Sequence, residues 1–72
     1  MKIEIIGEYI KLGQLLKKLR FTHSGGAAKV FIERNKITIN GKEPEGRGSK
    51  IRPGDTLWIN DQVYLIKLKK ED

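Results

Sequence analysis

The sequence predicts an α+β fold in the order strand, two helices, then four short strands. Three observations carry that prediction. Leu12, Leu15, Leu16 and Leu19 fall at i, i+3, i+4 and i+7, an apolar stripe along one face of a helix. Ser24 stands just before a run from about Gly26 to Arg34 in which Ala27, Ala28, Phe31 and Ile32 form a second helical apolar face. Apolar and polar residues then alternate from Lys36 to Asn40, ahead of Asn40-Gly41, a dipeptide suited to a type I′ hairpin.

Taken in order, Lys2 to Ile6 alternates, with Ile3 and Ile5 on one face of a short strand, and Gly7-Glu8 breaks it. In the first helix Lys11, Gln14 and Lys18 share a face away from the leucines, and Arg20 closes it where a cation suits the negative end of the dipole. Phe21 to Gly26 is a loop. Ser24 is the expected N-cap of the second helix, its hydroxyl accepting from a backbone N–H two or three residues on. The alanines permit close approach to the first helix. Asn35 follows, where a left-handed residue is expected. Ile37 and Ile39 point inward from the next strand. Glu43 to Lys50 reads as a flexible loop from its Gly, Pro and Ser content, and Ile51 returns to the core. Arg52-Pro53-Gly54-Asp55 is a turn. Thr56 to Ile59 and Gln62 to Lys69 are strands joined at Asn60-Asp61, and Lys69 to Asp72 is a fraying tail. Phe31, Trp58 and Tyr64 read as core or sheet-packing residues rather than stacking platforms.

The 72 residues fit one domain, 1–72, with no repeat. A domain of this size buries roughly 60% of its unfolded surface, so the core is thin. Cysteine is absent, which excludes disulfides, thiolate metal sites and cysteine nucleophiles. The N-terminal Met1 to Ile6 is too short and too acidic for a signal peptide. No apolar run approaches the roughly 20 residues of a membrane span. The expected location is the cytoplasm.

The charge is localised. From Tyr9 to Lys36 there are seven Lys and Arg and one acid, Glu33, which together equal the formal net charge of +6 for the whole chain. The remaining residues balance. A localised excess of this kind points to a face for a polyanion more strongly than a high pI does. Each phosphate that such a face neutralises releases condensed counterions. Ser24-Gly25-Gly26 at a helix start reads first as a cap and turn; bare backbone N–H groups there also suit an anion. His23, the one histidine, lacks partner ligands for a metal. No Ser/His/Asp order and no carboxylate pair in an apolar setting supports catalysis, so the chain is expected to be no enzyme and to need no cofactor.

The order and spacing of several weak motifs add a resemblance. Lys11-Leu12-x-x-Leu15-Leu16, Ser24-x-x-x-Ala28-Lys29-x-x-Ile32, Ile37-x-Ile39-Asn40-Gly41 and Arg52-Pro53-Gly54-Asp55 resemble the RNA-binding domain named after small-subunit ribosomal protein S-four. Ile10 to Lys17, Ser24-Gly25-Gly26-x-Ala28-Lys29 and Arg47-Gly48-x-Lys50-Ile51 resemble its stand-alone bacterial, YaaA/YbcJ-like branch. The resemblance spans about Tyr9 to Ile59 and leaves the first strand outside. The ribosomal module usually has Arg after the Ser, where this chain has Gly25, and prefers Gly where this chain has Asn35.

The resemblance implies two packed N-terminal helices followed by a small bent antiparallel sheet, here with an extra N-terminal strand. It also implies non-catalytic binding of structured RNA, ribosomal RNA first, in a ribosome-associated or assembly role. RNA is then the expected partner, ribosomal proteins further ones, and a monomer the expected state. Lys11, Ser24, Lys29, Lys36, Arg47 and Lys50 take the places of the family's contacts. Gln14 and Lys18 share the face of Lys11, and Gly25 and Gly26 offer backbone donors. Two alternatives stay open: an adaptor docking an acidic protein, and DNA binding by the same basic face.

Overall fold

The computed structural model describes residues 1–70. Its elements are β1 (Lys2–Ile5), β2 (Ile10–Lys11), α1 (Leu12–Lys18), α2 (Gly25–Arg34), β3 (Ile37–Ile39), β4 (Lys50–Ile51), β5 (Thr56–Ile59) and β6 (Gln62–Leu68). One sheet has the order β1-β6-β5-β3, and β2 and β4 form a second, two-stranded one. The chain is α+β with two helices, as expected, but the expected arrangement needs two corrections. The helices are interleaved with strands, two before them and four after, rather than leading into a single sheet. The larger sheet is also mixed: β1 pairs with β6 in parallel, whereas β5–β6 and β3–β5 are antiparallel. The physical reason lies in β6, which would otherwise present an unpaired edge. Leu65 N–H donates to Met1 C=O at 2.7 Å and Lys69 N–H to Ile5 C=O at 2.8 Å, which closes that edge. Of the expected tail, Glu71 and Asp72 lie outside the described residues.

The core lies between the helices and one face of this sheet. Leu12, Leu15 and Leu16 from α1 and Ala28 from α2 are buried with Ile3, Ile5, Ile37, Leu57, Ile59, Tyr64 and Ile66, and Ile51 from β4 joins them. Leu19, Phe31, Ile32 and Ile39 are half-buried against it. Each fully buried Leu or Ile contributes about 1.5–3 kcal/mol. Removing one is therefore a large fraction of what so small a domain has to spare.

Of the two places expected for Trp58, the structure gives the sheet surface, not the core. The alternation of β5 turns Leu57 and Ile59 inward and leaves Trp58 on the opposite face, 44% exposed. Ala27, expected on the packed face of α2, is exposed as well. The turns follow the residue chemistry. Asn40 and Gly41 both have positive φ, 53° and 83°, and Ile39 and Lys42 exchange backbone hydrogen bonds of 2.8 and 3.1 Å across them. This is the expected type I′ geometry.

Candidate nucleic-acid interface

Lys11 ends β2 and serves as the N-cap of α1, with extended φ −76° and ψ 145° and no capping bond from its side chain. The cap comes instead from the 43–50 loop. Leu12 N–H donates to Ser49 C=O at 2.8 Å and Gly13 N–H to Arg47 C=O at 2.9 Å. Orphan donors of a first helical turn are thus satisfied by a distant backbone. The loop is held from within too, by Glu45 N–H to Ser49 Oγ at 2.8 Å and Ser49 N–H to Gly46 C=O at 3.1 Å. The segment expected to be flexible is docked on α1. Gly13 makes this approach possible, since a Cβ there would lie 3.2 Å from Arg47 Cβ and 3.3 Å from its carbonyl oxygen.

Docking shapes the site. Lys11, Gly13, Gln14, Lys17, Arg47 and Gly48 line one shallow depression that holds three cations and no carboxylate. Lys50 stands directly opposite Lys11 in the β2–β4 register, so both side chains leave the same face of the small sheet. Like charges placed this way destabilise a sheet. The Lys50 ammonium lies 4.8 Å from the centroid of the Tyr9 ring, a cation–π contact that holds it. Both lysines are exposed.

The remaining expected residues are spread more widely. Lys18 turns toward β1, its Nζ donating to Glu4 C=O at 3.2 Å. Ser24 caps α2 as expected, Oγ accepting from Ala27 N–H at 3.2 Å, and no acid occupies the first turn. Gly25 and Gly26 form that turn, and a Cβ at Gly26 would meet nothing within 4 Å, so packing does not demand this glycine. Lys29 is exposed on α2, outside the depression. Lys36 is exposed beyond α2, its backbone pinned by Asn60, which accepts from Lys36 N–H through Oδ1 at 3.1 Å and donates from its own N–H to Lys36 C=O at 2.8 Å. Lys11, Gln14 and Arg47 therefore converge, Lys50 adjoins them, and Lys18, Lys29 and Lys36 stand apart. Lys17 enters the depression although it was not among the expected contacts; the glycine at position 13, in the middle of a leucine stripe, was the signal that something packs against this turn.

A second depression, mostly apolar, lies on the far side of α2 between Phe21, Ala27, Val30 and Phe31, with His23 and Arg34 beside it. Among the described residues no group of three or more His, Cys, Asp or Glu gathers as a metal site, and no helix is long and apolar enough to cross a membrane.

Comparison with known proteins identifies the family. The S4 domain model matches residues 3–67. That match is wider than the Tyr9–Ile59 region that carried the resemblance and takes in nearly all of β1 and β6. The chain is 39% identical over 57 residues to the probable ribosome maturation protein RlbA of Bacillus subtilis (strain 168), covering 79% of this chain and 80% of that protein. No solved structure matches. Matched almost throughout its length, the chain belongs to the S4 domain family.

Proposed function

We propose that this protein binds structured RNA, ribosomal RNA first, without catalysis, and acts in ribosome maturation. The observation that carries the reading is the convergence of Lys11, Lys17 and Arg47 on one depression, with Lys50 held opposite Lys11. The like charges of Lys11 and Lys50, directly opposed across β2–β4, would be relieved by polyanionic phosphate. A-form RNA offers such phosphates at the rims of a wide minor groove lined with 2′-hydroxyls, so recognition is by shape more than by base sequence. Lys29, Lys36 and the Ser24-Gly25-Gly26 turn extend the contact along α2. The similarity to a probable ribosome maturation protein supports the ribosomal target. Such a role places the protein in the cytoplasm, with ribosomal proteins as neighbours.

The test is crosslinking and RNA recovery from cells, comparing wild type with Lys11→Glu/Lys29→Glu/Lys36→Glu. The expected outcome is enrichment of a defined ribosomal RNA region that the triple variant loses while its circular dichroism is unchanged. Enrichment that the variant retains would remove this face as the RNA site. The apolar depression between Phe21 and Val30, flanked by Arg34, supports the second reading, an adaptor for an acidic protein. Wild type that recovers no RNA above background would bring that reading forward.

A further inference from the structure

We infer that the outer face of the four-stranded sheet, centred on Trp58, is a stacking platform for an unpaired nucleotide of the bound RNA. The inference rests on the RNA-binding reading above and extends it to a surface on the other side of the sheet from the core. Trp58 is the one tryptophan of the chain and stands 44% exposed. Its neighbours in register are Thr38 on β3 and Val63 on β6, and the next row pairs Thr56 with Leu65, itself 41% exposed. These neighbours are uncharged. Among the described residues, no ring or cation stacks on it and its indole N–H has no hydrogen-bond partner.

Charge completes the platform. Lys36 lines the depression beside Trp58 together with Thr38 and Asn60; Asp61, the one acid there, belongs to the turn between β5 and β6. Lys36 also lines the adjoining depression at the end of α2, which makes it the joint between the helical face and the sheet face. At the other margin β1 places Lys2 opposite Leu65 and Glu4 opposite Lys67. A flat π surface with cations at its margins is the chemistry that single-stranded nucleic acid uses, bases on the rings and phosphates on the lysines. Lys36, shared by the helix-end and sheet depressions, would lead the strand flanking a bound duplex onto Trp58.

Trp58 reports on its own occupancy, because its emission is the only indole signal. The full chain would be titrated with a blunt RNA hairpin and with the same hairpin carrying a single-stranded oligoadenylate extension. Stacking on Trp58 should tighten binding of the extended hairpin about five- to hundredfold and quench the emission. Trp58→Leu should lose that stacking gain, keeping only what the extension's phosphates add on the lysines, and Trp58→Phe should keep part of it. Equal affinity for the two hairpins with unquenched emission would overturn the platform and leave RNA binding by the helical face intact. Failure to bind either hairpin would overturn both readings. Emission that changes with protein concentration alone, with a dimer in sedimentation, would assign the face to a second copy and overturn the inference.

Discussion

Arg20 holds φ at 66°, in the left-handed region that costs an L-residue with a Cβ about 1–2 kcal/mol. It does so because α1 must end abruptly. Phe21 N–H donates to Leu16 C=O at 2.9 Å and Arg20 N–H to Lys17 C=O at 3.0 Å, the paired bonds of a Schellman cap. The same turn brings the Phe21 ring within 5.3 Å of Phe31 and 6.5 Å of Tyr64, tying the helix end to α2 and β6. Arg20→Gly should therefore stabilise the fold by about 0.5–1 kcal/mol, part of the strain relief being lost to the greater freedom of glycine in the unfolded chain. Urea denaturation measures this; no gain would mean that the arginine side chain compensates in place. The expected left-handed residue was Asn35, which is instead extended at φ −126°. Its Nδ2 donates to Phe31 C=O at 2.9 Å and its Oδ1 accepts from Asn60 Nδ2 at 3.0 Å, so its side chain, not its backbone, finishes α2. Residue preference alone could not separate these sites, because the choice depends on a partner 25 positions away.

The smaller sheet sets stability against binding. Lys11 opposes Lys50 across β2–β4 and also caps a helix whose first turn carries no acid. Lys11→Glu would replace a like-charge pair with an opposite one, worth about 0.2–1 kcal/mol. It would also put an anion at the positive end of α1, worth about 0.3–1 kcal/mol, and leave the Lys50–Tyr9 contact in place. The variant should be more stable by about 0.5–1.5 kcal/mol at low salt and bind RNA more weakly, with the stability gain shrinking as salt rises. Thermal denaturation at two ionic strengths, beside a binding titration, checks both halves; a variant that loses stability along with binding would make Lys11 a structural residue. Elements with strong local signals were legible in the sequence: the leucine stripe of α1, the Ser24 cap, the Asn40-Gly41 turn. The docking of the 43–50 loop was not. Its bonds run from backbone N–H groups of α1 to backbone carbonyls of Arg47 and Ser49, and backbone groups carry no residue signature. The parallel pairing of β1 was hidden for a related reason, since alternation marks a strand but not its neighbour. Trp58 was left between the core and the sheet surface, although the alternation of Leu57 and Ile59 already placed it on the outer face.

At the scale of the molecule the excess charge belongs to one segment of the chain, and that placement sets how binding should respond to salt. The excess of +6 lies between Tyr9 and Lys36, the segment that forms β2, α1 and α2, while the rest of the chain is balanced. The molecule measures 38 × 24 × 19 Å, longer in each direction than the screening length of roughly 10 Å at 0.1 M salt. An approaching RNA therefore senses the face it meets rather than the net charge, and the basic segment orients the encounter. If Lys11, Lys17, Arg47 and Lys50 engage phosphates, with Lys29 and Lys36 alongside, about four to six contacts form. The logarithm of affinity should then fall with the logarithm of salt at a slope of about −3 to −5. Neutralising one contact, as in Lys11→Gln, should shallow that slope by about 0.7–0.9. Trp58→Leu should lower affinity for an RNA with a single-stranded extension and leave the slope unchanged, because stacking releases no counterions. Binding measured from low to moderate salt for these three proteins separates the two faces. A Trp58 variant that shallows the slope would mean that the sheet face works through charge, and a Lys11 variant that leaves it unchanged would mean that the phosphates lie elsewhere.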